Sequence, residues 1–193
     1  MNRPNTPSTA EFSDRVRLLA KRISESSAPA LSGLYDLTAQ RLVRYGTTIT
    51  RNQHDAEDAV QTALVKVAAD PVLLAGSDHP WSYLLRIVRN ESLAILRKKK
   101  RWSLMGSLTD LLTRPAVDEV DQEDSYRAVW HALRTLPVEQ SEVVVLKIWE
   151  EMTFAEIASV LDLSPSTAAS RYRYAIEKLT QKLQVASREL HHE

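Results

Sequence analysis

No cysteine occurs among the 193 residues, which excludes disulfides, thiolate zinc sites and cysteine nucleophiles and leaves a reducing compartment open to the protein. Glycine is scarce as well. Gly33, Gly46, Gly76 and Gly106 stand far apart, so no GxGxxG or GxxxxGK phosphate loop can be written and nucleotide-dependent enzymes lose their usual signature. No apolar run reaches the ~18 residues of a membrane span, and the polar opening MNRPNTPSTA lacks the apolar segment of a secretory signal. A cytoplasmic protein without membrane insertion is expected. Net charge is also missing: 25 Lys and Arg balance 25 Asp and Glu, so affinity for nucleic acid must come from segregation of charge along the chain. The five histidines show no ligand spacing, since His54, His79 and His131 are scattered and His191-His192 are adjacent at the terminus. No metal, cofactor or catalytic site is expected, and the chain does not read as an enzyme.

What is present is helical periodicity. Phe12, Val16, Leu19 and Ile23 recur at helical spacing after a Pro/Ser/Thr-rich start, and a Ser/Pro stretch from Ser24 to Ser32 breaks the pattern. A second periodic segment runs through Leu34, Leu37, Leu42, Tyr45 and Ile49, and a third from Asp55 to Ala69 until Asp70-Pro71 closes it. From Trp81 to Arg101 one face carries Leu84, Val88, Ser92 and Ile95, with Trp81 toward the core. The other face carries Arg86, Arg89, Asn90, Arg97 and Lys100, with Tyr83 at its margin. Residues 80–102 hold seven Lys and Arg against Glu91 alone. A basic run by itself also suits a solvated surface. Clustered cations beside Tyr83 and Trp102 additionally suit phosphates and exposed bases.

Residues 103–124 bring Gly106, Pro115 and the acids Asp118, Glu119, Asp121, Glu123 and Asp124, the composition of a flexible acidic linker. Its acids suit a solvated spacer and share the charge sign of nucleic acid. Helical spacing resumes at Tyr126, Val129, Trp130 and Leu133 and restarts after Pro137, where VVVL reads equally as strand or as buried helix; its helical flanks favour the helix. Thr153-Phe154-Ala155-Glu156 is a capping box, and Ser164-Pro165 supplies an N-cap and a first-turn proline for the next helix. Two capped helices around a tight turn make a helix-turn-helix, with a plain helical hairpin as the other reading. Residues 164–183 are again basic, Arg171, Arg173, Lys178 and Lys182 against Glu177.

Three blocks then carry a family resemblance. DAEDAVQTALVKVA resembles the core-polymerase-binding segment of bacterial extracytoplasmic-function sigma factors. YLLRIVRNESLAILRKKKR resembles that family's promoter-melting and minus-10 helix, and LRTLPVEQSEVVVLKIWEEMTFAEIASVLDLSPSTAASRYRYAIEKL its minus-35 domain. The match runs from about Leu34 to Leu183, and three blocks in family order are more specific than any one.

The resemblance implies an all-α chain of two small helical domains joined by the acidic linker. Its segments would be an extension over 1–30, a core-binding and minus-10 domain over 31–102, the linker over 103–124, a helix-turn-helix domain over 125–186 and a tail over 187–193. It implies core RNA polymerase as partner, at the β′ clamp and β flap, together with promoter DNA, and leaves room for an anti-sigma factor. By position, Asp55, Glu57, Asp58 and Gln61 would meet polymerase. Tyr83, Arg86, Arg89, Asn90, Arg97, Lys98, Lys99, Lys100 and Arg101 would meet the minus-10 region, and Ser166, Thr167, Ser170, Arg171 and Arg173 the minus-35 element. Two departures stand out: Leu64 and Ala68 replace the family's common aromatic pair, and Ala169 replaces a lysine. A polymerase-independent helix-turn-helix regulator is the alternative; such proteins normally dimerise, and no heptad zipper is written here.

Overall fold

The computed structural model describes residues 9–25, 28–105 and 124–189. Among them the chain is helical with no strand, as the periodicity predicts. The linker reading lies mostly outside the described residues.

Helix α1 (Thr9–Ser24) buries Phe12, Val16, Ala20 and Ile23, one stripe at 3- and 4-residue spacing. The extension is thus an added helix of the N-terminal domain. Helix α2 (Ala28–Thr50) follows, its buried Leu34, Leu42, Tyr45 and Ile49 interleaved with threonines. Thr38, Thr47, Thr48 and Thr50 each donate a hydroxyl to the carbonyl four residues back, which satisfies these polar groups inside the bundle. At Arg51 the backbone turns left-handed, with φ 60°, and ends the helix.

Asn52 caps α3 (Gln53–Ala69) by accepting the Asp55 amide at 2.9 Å. Helices α2 and α3 approach so closely that a Cβ on Gly46 would stand 3.0 Å from the Ala56 Cβ. The closing Asp70-Pro71 also opens the short α4 (Pro71–Ala75), with proline at its first turn. Helix α5 (Pro80–Met105) completes the domain. It buries Trp81, Leu84, Leu85, Val88 and Ser92 against α2 and α3, and Trp81 meets Phe12 edge-on at 4.9 Å.

The second domain comprises α6 (Asp124–Arg134), α7 (Val138–Ile148), α8 (Phe154–Leu161) and α9 (Pro165–Glu189). The ambiguous VVVL run is helical, with Val143, Val144, Val145 and Leu146 at most 1% exposed. Its lack of a polar face has a physical reason: α7 packs on α8 and α9 on one side and on α2 on the other. Helix α8 in turn packs on α5, so the two domains lie against each other.

Candidate functional site

The helix-turn-helix is set by local chemistry. Thr153 accepts the Glu156 amide and the Glu156 carboxylate accepts the Thr153 amide at 2.8 Å, the reciprocal cap read from the sequence. Burial alone would raise the Glu156 pKa, but the hydrogen bonds from Thr153 overcome it and hold the carboxyl below its ordinary value. Asp162 turns left-handed at φ 56°, a conformation that aspartate tolerates, and Ser164 then caps α9 by accepting the Thr167 amide at 3.1 Å. Ala168, Ala175 and Leu179 anchor α9 inward, and Tyr172 packs on Phe154 of α8 at 5.8 Å. Ser166, Thr167 and Arg173 are exposed, whereas Ser170 and Arg171 are half-buried. Tyr174, which stands 52% exposed with the Arg173 guanidinium over its ring, joins this surface.

On α5 the outward projection holds for Arg86, Asn90 and the run Arg97 to Arg101, all exposed, and Tyr83 is half-buried at the margin beneath the Arg86 guanidinium. Trp102 ends the run 69% exposed. One residue departs from the helical projection. Arg89 is turned into the domain interface, where its Nε donates to Glu142 of α7 at 2.7 Å. Lys99 bridges to Asp55 at 2.6 Å. Asp55, placed by the resemblance among the residues that would meet polymerase, is itself buried at the start of α3. The placements of Arg89 and Asp55 arise from packing between elements, which a single helix projected alone does not contain.

Glu57, Asp58 and Gln61 are exposed along α3. They line one wall of a groove of about 1260 Å³ between α2, α3 and α6, whose apolar floor includes Val43, Leu64 and Ala68. Val65, 63% exposed, and Tyr35, 53% exposed, stand at its rim. Leu64, buried, and Ala68, exposed, both line this groove.

The interface holds two buried carboxylates with cationic partners, a network not read from the sequence. Glu150 accepts from Arg41 at 2.9 Å and Arg44 at 3.0 Å, with its own side chain fully covered. Glu142 accepts from Arg89 and from the Tyr45 hydroxyl at 3.1 Å. Burial pushes the Glu142 carboxyl up, and the Arg89 cation and the two hydrogen bonds only partly offset it. Burial would lower Arg89, but Glu142 outweighs it and raises the guanidinium further. Tyr45 is raised well above its usual value by burial and by the Glu142 charge. Arg51 reaches the Leu133 carbonyl at 3.3 Å and the Leu136 carbonyl at 3.0 Å, capping the end of α6. Its burial and the nearby Arg134 charge lower its pKa. No group of His, Cys, Asp and Glu with metal-holding geometry occurs among the described residues. None of their helices is long and apolar enough to cross a membrane.

Residues 34–102 match the family Sigma-70 region 2, and residues 126–179 match Sigma-70, region 4. The RNA polymerase sigma-E factor of Streptomyces avermitilis is 31% identical over 144 residues, 74% of this chain and 79% of that protein. The ECF RNA polymerase sigma factor SigM of Mycobacterium tuberculosis is 30% identical over 154 residues, 80% of this chain and 77% of that protein. Among solved structures, CnrH in complex with the cytosolic domain of CnrY aligns with a TM-score of 0.62 at 22% identity, covering 89% of this chain and 99% of that one. The sigma factor RpoE of Bartonella quintana, solved with the anti-sigma factor NepR, aligns at 0.57 and 23% identity over 91% and 98%. At these identities the two structures show the shared fold. With both regions present in order and these relatives covered over more than two thirds of their length, the chain belongs to the extracytoplasmic-function group of the sigma-70 family, transcription initiation factors.

Proposed function

We propose that the protein binds core RNA polymerase and directs it to promoters, reading minus-10 with α5 and minus-35 with α9. The observation that carries this is the pairing of two exposed basic helix surfaces on separate domains, Arg86, Asn90 and Arg97 to Arg101 on one and Ser166, Thr167 and Arg173 on the other. Cations on one helix face answer the phosphate backbone, and the neighbouring amide, hydroxyl and aromatic groups offer base contacts. Arg171, half-buried beside them, completes the α9 surface. The groove walled by Glu57, Asp58 and Gln61 supports a helical partner seated on its apolar floor, the role assigned to the β′ clamp, with the β flap meeting the second domain. Such partners place the protein in the cytoplasm. RpoE was solved with an anti-sigma factor, and a partner of that kind is proposed here too.

The test is to mix the chain with core polymerase and promoters selected from random DNA. Expected is a holoenzyme that initiates on a defined subset, and Asp58→Arg with Gln61→Ala should weaken its formation without loss of helix content. A stable dimer that binds DNA and ignores polymerase would establish the alternative, a conventional helix-turn-helix regulator.

A further inference from the structure

We infer that Glu142 and Glu150 form an intramolecular latch, which closes the second domain over Arg89 and must open before the whole of α5 can meet promoter DNA. The closure itself stands on geometry. Both carboxylates come from α7 and the turn after it, yet their cationic and phenolic donors all lie on α2 and α5: Arg41, Arg44, Tyr45 and Arg89. A carboxylate withdrawn from water needs such partners, so these two glutamates fit the closed arrangement and would return to water if the domains parted.

The N-terminal helix belongs to the same device. The Arg41 guanidinium stacks over the Phe12 ring of α1 at 3.8 Å and over Trp81 at 5.5 Å, which orients it toward Glu150. Thr9 at the start of α1 donates its hydroxyl to Glu151, beside the latch. Helix α1 lies outside both family matches, so this clasp is partly built from a segment that they do not include.

The interface joins apolar packing of α7 on α2 to these ion pairs, whose partners water can replace when the domains separate. Residues 106–123 contain enough covalent chain to reach about 60 Å when extended, so the connection does not prevent opening. The consequence for transcription rests on the function proposed above, because it is that reading which gives Arg89 a promoter contact. Closure leaves Arg86, Asn90 and the exposed face of α9 in solvent and withdraws Arg89.

The absence of cysteine allows clean spin labelling of the full chain at Val72→Cys on α4 and Lys178→Cys on α9, both exposed positions. Double electron–electron resonance should give one narrow distance for the closed protein. Glu142→Lys with Glu150→Lys, which sets cations against Arg89, Arg41 and Arg44, should broaden and lengthen it while circular dichroism stays unchanged. Arg41→Gln, which removes one cation from the N-terminal side, should shift it the same way by less. Distances identical to wild type in both the double variant and Arg41→Gln would overturn the latch. Stopped-flow association of minus-10 promoter DNA, with the chain and core polymerase mixed together, is expected to be severalfold faster for the double variant than for wild type. An opened distance with an unchanged association rate would overturn the requirement for opening. If wild type fails to bind core polymerase at all, the functional reading falls while the distance result still decides closure.

Discussion

Glu142 occupies a setting that opposes its own charge. Burial outweighs the attraction of Arg89, so its folded-state pKa lies above the ordinary 4.5, and its contribution to stability is fully present below that value and is lost as pH rises through the folded pKa. The stability of wild type relative to Glu142→Gln should therefore improve as pH falls from about 7 to about 4, read from paired denaturant titrations. A difference that worsened with acid would show that the ion pair, not burial, dominates. Gly46 poses a steric question instead. Alanine is the better helix former, but its methyl would meet Ala56 at 3.0 Å across the α2–α3 contact. Gly46→Ala should cost about 1–3 kcal/mol of stability, since both helices are held by the surrounding core. Equal or higher stability would mean that α3 shifts freely.

At the scale of elements, local chemistry was legible wherever it was local. The capping box, the Ser164-Pro165 start of α9 and the Asp70-Pro71 stop of α3 each use side chains within a few residues of the backbone groups they serve. Thr153→Ala should cost about 1 kcal/mol and weaken the α8 start. The pH signature of this cap is opposite to that of Glu142. The Glu156 pKa is lowered by its bonds to Thr153, so its stabilisation is present above 4.5 and is lost as pH falls through the folded value. Thr153→Ala should remove that acid-side loss, which thermal unfolding across the acid range would reveal. What the sequence pattern could not show is where an element is covered by a distant one. The Arg89 position on α5 reads as solvent-facing in projection, and only the arrival of α7 buries it. Asp55 is placed by the resemblance among the residues that would meet polymerase, and only the return of α5 brings Lys99 to it. The five-residue α4 is too short to leave a period, and Pro71 reads as a stop before it reads as a start.

At the scale of the whole molecule, the division of α5 into a reading half and a docking half yields a contrast that salt can resolve. Lys98 and Lys100 are exposed and make no ion pair among the described residues, whereas Lys99 is tied to Asp55. Cations that release counterions from DNA set the steepness with which affinity falls as salt is raised, by up to about 0.9 log unit per phosphate contact. Replacing Lys98 and Lys100 with alanine in the holoenzyme should flatten that slope and weaken binding nearly uniformly across promoters. Lys99→Ala should flatten it less, because that ammonium must leave Asp55 to reach a phosphate. Asn90→Ala carries no charge change, so its slope should match wild type while base preference in the minus-10 element shifts. The measurement is promoter binding by holoenzyme over a salt series, on matched and single-base-substituted minus-10 sites. A preference shift in the double lysine variant with an unchanged slope would reverse the assignment, placing base reading at the end of α5 beside Trp102 and docking near its start.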